Sequence, residues 1–129
     1  MANEQRDVAR TIEAMSEQYV RHFNAGDADR MVSEFYAEDA KFLPPNHPMA
    51  SGRSQIRDTI KGFLGAGLGE LSIRPVQVVA SGDLAYSVGT YSLGKPAPDT
   101  GKYVEVHRRQ PDGSWTCVVD IFNSDQSSP

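Results

Sequence analysis

The sequence holds a single cysteine, Cys117, which excludes an intrachain disulfide framework and any zinc site built from a cysteine cluster. No run of about 18 apolar residues occurs, the length a membrane-spanning helix requires, and the opening MANEQRDVAR lacks the apolar core of a secretory signal. There is no Lys/Arg run either. Against 17 acidic side chains stand 13 basic ones, a net charge of −4, which disfavours capture of nucleic acid or of an anionic membrane surface. Gly65, Gly67 and Gly69 follow a helical pattern and precede a strand-like one, the reverse of the phosphate-binding order. Neither a zinc-protease helix nor a Ser/His/Asp order is present, so no cofactor and no metal are expected. A cytoplasmic location is expected, and the 129 residues, 39% of them hydrophobic, suit a single domain over 1–129 with a frayed tail from about 125 to 129.

The apolar residues that are present change their period halfway along the chain. Val8, Ile12, Met15, Tyr19 and Phe23 recur at steps of three and four, the stripe of an amphipathic helix of about twenty residues that Gly26 ends. Asp27 suits the N-cap of a second helix, Ala28 to about Tyr36, with Met31, Val32 and Phe35 on its apolar face. A short strand follows from Ala40 to Leu43, and then Pro44, Pro45 and Pro48 break regular structure. Ser51 and Gly52 open a third helix bearing Ile56, Ile60, Phe63 and Leu64.

Beyond Gly69 the pattern alternates. Leu71 and Ile73 run in one phase and Val76 and Val78 in the other, which places a β-bulge at Pro75 on a curved strand. Strands are predicted over Leu84–Leu93, Lys102–Gln110 and Ser114 to about Ser124, the last two joined by a Pro111-Asp112-Gly113 turn. Helices first and antiparallel strands afterwards give an α+β order, with three helices packed on one face of a bent sheet.

The last hairpin poses a choice of face. Val104 and Val106 point one way, Tyr103, Glu105 and His107 the other. In the final strand Trp115, Cys117, Val119 and Ile121 lie opposite Thr116, Val118, Asp120 and Phe122. A one-residue bulge accompanying the Pro-Asp-Gly turn would bring Glu105, Val118, Asp120 and Phe122 to one side. In one reading the oily face covers the helices and the acids meet water. In the other, the acids line an enclosed hollow, and the oily face (Val104, Val106, Cys117, Val119, Ile121) is buried against a second subunit.

The segment YVRHFNAGDADRMVSEFYAEDAKF, the helix start GRSQIRDTI and the ending KYVEVHRRQPDGSWTCVVDIFNSD resemble the nuclear transport factor 2-like superfamily. The likeness is to its SnoaL-like and ketosteroid-isomerase-like branch, which includes the group named for SgcJ and EcaC. It implies a cone: a curved, mostly antiparallel sheet wrapped on helices, a pocket at the open end, and a homodimer formed through the outer sheet face. Ketosteroid isomerases use an aspartate base, a tyrosine on the first helix and a protonated aspartic acid on a later strand, the latter two forming an oxyanion hole. Tyr19 falls at the tyrosine position and Glu105 at the later-strand acid. The base position falls at Leu43-Pro44-Pro45, where nothing takes a proton, which counts against steroid isomerisation by that mechanism. SnoaL-type cyclases are expected to use an aspartate on the sheet, for which Asp120 is the nearest candidate.

The catalytic candidates are therefore Tyr19, Glu105 and Asp120. Two carboxyls in a partly dry pocket cannot both ionise cheaply, so one is expected to titrate high and act as an acid. Phe23, Phe35, Phe42, Phe63, Tyr103, His107 and Phe122 are expected to line the pocket, with His47 at its rim and His22 structural. As core residues, Tyr19 and the aromatics need no such role. The expected partner is a small apolar or aromatic ligand carrying a carbonyl or hydroxyl. The chemistry within reach is proton transfer next to a carbonyl, in an isomerisation, cyclisation or dehydration. The alternative is a non-catalytic ligand-binding or oligomerisation module of the same fold, favoured by the missing base.

Overall fold

The predicted stripe forms α1 (Ala2–Asn24), burying Val8, Ile12, Tyr19 and Phe23 in a computed structural model that describes residues 2–127. Gly26 turns through φ 75°, a region open to glycine, and the Asp27 carboxylate accepts the Arg30 backbone N–H at 3.1 Å to cap α2 (Ala28–Phe35). The chain passes without a loop into β1 (Tyr36–Leu43), so Tyr36 opens a strand where the pattern predicts a helix end. The cause is long-range: Tyr36 lies beside Cys117 in a parallel pairing with the last strand.

A two-residue β2 (Ala50–Ser51) pairs back onto β1 and leads into α3 (Gly52–Gly65). Four long strands follow: β3 (Ser72–Ser81), β4 (Leu84–Leu93), β5 (Asp99–Arg109) and β6 (Trp115–Ser124). They complete one six-stranded sheet in the order β2-β1-β6-β5-β4-β3, antiparallel except where β1 meets β6. The sheet is curved and unclosed, with α1 packed along β3 and α3 along β1. Between α2, α3 and the sheet sits the main core, including Met31, Val32, Phe35, Phe42, Ile56 and Ile60. A smaller cluster of Val8, Ile12, Ala85 and Trp115 lies under α1.

Both predicted bulges exist. The register passes from Pro75–Gly89 to Gln77–Val88, leaving Val76 unpaired and exposed. On β6 the shift lies five residues beyond Gly113 at the turn's end: Val106 faces Val119 while His107 faces Cys117, so Val118 is the extra residue. This position corrects the assignment of faces. Trp115 and Cys117, expected on the outer face, lie on the turn side of the bulge and are buried, with Cys117 opposite His107; Asp120 and Phe122 follow on the same inner side. Val104 and Ile121 stay outside and exposed.

Of the tail expected to fray, Asp125 is tied down, its N–H donating to the Thr100 carbonyl at 2.8 Å and its carboxylate accepting from Lys102 at 2.9 Å. Residues 128 and 129 lie outside the described residues. Among those described, no helix is long and apolar enough to cross a membrane.

Candidate ligand pocket and its buried carboxyls

Alternation along three neighbouring strands puts Tyr91 of β4, Tyr103 and Glu105 of β5, and Asp120 and Phe122 of β6 on the inner face. There they bound a cavity of about 200 Å³, closed on the helix side by Tyr19, Phe23, Met31, Ile60 and Phe63. Its wall is mainly apolar, and the space exceeds that of a cavity known to hold benzene.

Two glycines allow the aromatic lining to lie flat. Gly89 stands opposite Tyr103, and Gly101 opposite Tyr91, so each tyrosine ring covers its partner's bare backbone. Tyr91 then meets Phe122 edge-on at 5.6 Å, and Phe122 meets Phe42 at 5.6 Å. Phe63 touches both Phe42 and Phe122 and carries His47 edge-on at 5.4 Å. His47 Nδ1 donates to the Pro45 carbonyl at 2.9 Å, which fixes the rim loop.

The polar end is buried. Glu105 and Asp120 stand directly opposite each other across β5 and β6, with only 3% and 4% of their surface exposed. Tyr36 donates to Asp120 Oδ2 at 2.6 Å and, its proton so used, accepts from the Tyr19 hydroxyl at 3.0 Å. Burial, reinforced by Glu105, pushes the Asp120 carboxyl up to about 8 despite the Tyr36 hydrogen bond. Burial alone pushes Glu105 up to about 8. His107 Nε2 lies 3.0 Å from Glu105 Oε1, and burial lowers its imidazole to about 4. All three shifts favour neutral groups, so near pH 7 the site holds exchangeable protons with little net charge. Burial and the Asp120 charge hold both tyrosines well above the ordinary phenol range.

Some expected residues lie elsewhere. Phe35 and His107 do not reach the cavity wall, because Phe35 packs against Tyr19, Tyr36 and the His107 ring in the core behind it. Phe23, Phe42, Phe63, Tyr103 and Phe122 do line it. Tyr19 lines it as well, but its proton points to Tyr36, so the donor available at the inner end is Asp120. Where the resemblance seeks a base, Pro45 contributes an apolar wall. His22 binds Glu34 at 2.6 Å and joins α1 to α2. Sequence reasoning missed Tyr36, Tyr91 and Asp99. Tyr36 could have been found as an aromatic at a helix-to-strand junction; Tyr91 lay in a predicted strand whose inner face had no polar marker. Among the described residues no group of three or more His, Cys, Asp or Glu is placed to hold a metal ion.

Comparison with known proteins agrees with this fold. A model of the SnoaL-like domain matches residues 16–118. A ketosteroid isomerase-like protein of Erwinia carotovora atroseptica superposes with a TM-score of 0.79 at 19% identity, covering 92% of this chain and 96% of that one. A putative scytalone dehydratase of Novosphingobium aromaticivorans gives 0.75 at 18% identity, covering 98% and 89%. A putative calcium/calmodulin-dependent protein kinase type II association domain of Thiobacillus denitrificans gives 0.75 at 20%, covering 90% and 96%. At these identities the likeness is one of fold. Among curated proteins none matches by sequence.

Proposed function

The chain belongs to the SnoaL-like domain family, and from that premise we propose that it binds a small one- or two-ring carbonyl or phenolic compound and transfers a proton next to the carbonyl. The observation that carries this reading is the Glu105/Asp120 pair, buried at the inner end of an otherwise apolar cavity. In the singly ionised pair one carboxyl is an acid and the other a base, both poised within a unit or so of neutral pH. Asp120 accepts from Tyr36 through Oδ2, so the proton it holds resides on Oδ1 and is offered to the ligand oxygen. Glu105, with His107 behind it, takes the proton from the adjacent carbon. Tyr19 and Tyr36 act as positioning residues for Asp120. The shared fold of the putative scytalone dehydratase of Novosphingobium aromaticivorans supports chemistry of this class.

The exposed outer face, with Tyr86, Val104 and Ile121 uncovered, supports the further proposal of a homodimer through the sheet. A cytoplasmic location belongs to the same reading and accords with the one free thiol, Cys117, being buried. Pro45 in place of a base favours a second reading, a binding module without turnover.

Hydrogen–deuterium exchange at the α-carbon of 2-tetralone, followed by NMR in D2O, separates the two. Catalysed exchange that disappears in Glu105→Gln and Asp120→Asn supports the enzyme. Binding without exchange selects the module. Binding unchanged in both variants removes the site.

A further inference from the structure

The outer end of the same cavity carries a second polar feature that the proton-transfer reading leaves unused. Asp99 and Ser124, at the ends of β5 and β6, both line the cavity, and Ser124 donates to Asp99 Oδ1 at 2.6 Å. Asp99 Oδ2 makes no hydrogen bond among the described residues and is left as an acceptor. No Lys or Arg is among the described residues that line the cavity. Lys102 is directed away, to Asp125 at 2.9 Å and the Ser124 carbonyl at 3.3 Å.

Four residues of strand separate Asp120 from Ser124, about 13 Å at the usual rise per residue. The wall between them is aromatic, formed by Phe122, Tyr91 and Phe42. Donors at the inner end and an acceptor at the outer end make the two ends chemically opposite. An anionic ligand would find no cation to offset its desolvation and would meet the Asp99 carboxylate at the outer end, a costly arrangement in a largely apolar enclosure.

We propose that the pocket selects a flat two-ring ligand with an oxygen acceptor at its inner end and a hydrogen-bond donor, a hydroxyl or amino group, at its outer end against Asp99, and that it rejects carboxylates. This inference rests on reading the cavity as a ligand site, but adds the specificity determinant. A two-ring aromatic with oxygens at opposite ends spans the distance with one hydrogen bond at each end.

The test titrates the protein with 2-naphthol, 2,6-dihydroxynaphthalene and 6-hydroxy-2-naphthoate, by ligand fluorescence or calorimetry. The second hydroxyl should tighten binding roughly tenfold, the worth of a hydrogen bond to a charged acceptor. The naphthoate should bind at least tenfold more weakly than 2-naphthol. Asp99→Ala should abolish the first difference, and Asp99→Asn, which keeps an acceptor for Ser124, should reduce the second. Equal binding of 2-naphthol and the diol, or binding of the naphthoate as tight as that of 2-naphthol, overturns the proposal while leaving the site reading intact. Failure of all three to bind overturns the site reading, and this inference with it.

Discussion

Tyr36 donates a 2.6 Å hydrogen bond to Asp120, 84 residues away in sequence, and thereby joins the first strand to the last at the bottom of the cavity. Tyr19 donates in turn to Tyr36, so three residues from a helix and two strands form one chain of hydrogen bonds. Removing the middle member, by Tyr36→Phe, leaves the buried Tyr19 hydroxyl unpaired and takes a stabilising donor from the Asp120 carboxylate. The expected result is a loss of about 1–3 kcal/mol in urea denaturation and an Asp120 titration, by carbon-detected NMR, that moves above about 8. An unchanged titration would mean that Tyr36 does not hold Asp120.

Stability should fall with rising pH between about 6.5 and 8. Glu105 and Asp120 both titrate near 8 when folded and in the ordinary carboxylate range when unfolded, so the folded state binds more protons. Their stabilising contribution is complete below the unfolded values and lost as pH rises through 8, at up to about 1.4 kcal/mol per pH unit for each carboxyl. His107, lowered to about 4, works in the opposite sense: its contribution is present above its unfolded value near 6.5 and lost as pH falls through 4, so it offsets one carboxyl at acid pH. Urea midpoints across pH 5–9 measure this, and Glu105→Gln with Asp120→Asn should flatten the profile above 6.5.

The two glycines under the tyrosines should respond unequally to alanine. A Cβ on Gly89 would lie 2.5 Å from the Arg74 carbonyl oxygen as well as against the Tyr103 phenol, and the backbone cannot yield cheaply. Gly89→Ala should therefore cost about 1–3 kcal/mol. On Gly101 the nearest atoms to the same Cβ all belong to the Tyr91 ring, which can swing away. Gly101→Ala should cost less in thermal stability and instead weaken ligand binding by displacing Tyr91 from Phe122. Equal stability losses would contradict this division.

Charge placed on the outer face should separate the proposed dimer. Val104 and Ile121 stand opposite each other on β5 and β6, with 41% and 46% of their surface exposed. Light scattering of Val104→Asp should give half the wild-type mass with unchanged circular dichroism. A wild-type protein already monomeric at micromolar concentration would dispose of the dimer.

Much of the fold was legible because its cues are local. The stripe from Val8 to Phe23, the Asp27 cap, the bulge at Pro75 and the bounds of the Leu84–Leu93 strand all follow from period and turn chemistry within a few residues. The site was legible only in part. The pairing of Glu105 with Asp120 is legible in the hairpin, given a one-residue shift, but turn chemistry places that shift beside the turn and it lies at Val118. That difference of position carried Cys117 from the outer face to the core.

The sequence by itself determined which residues alternate on which strand, and so which side chains could share a face with Glu105. Only the tertiary structure decided that this face is the enclosed one, that Tyr36 leaves its helix to meet Asp120, and that His107 and Phe35 stand behind the cavity wall instead of in it. Side-chain period is a property of neighbouring backbone dihedrals, whereas enclosure depends on helices and strands tens of residues apart burying apolar area together, and no local pattern encodes that sum.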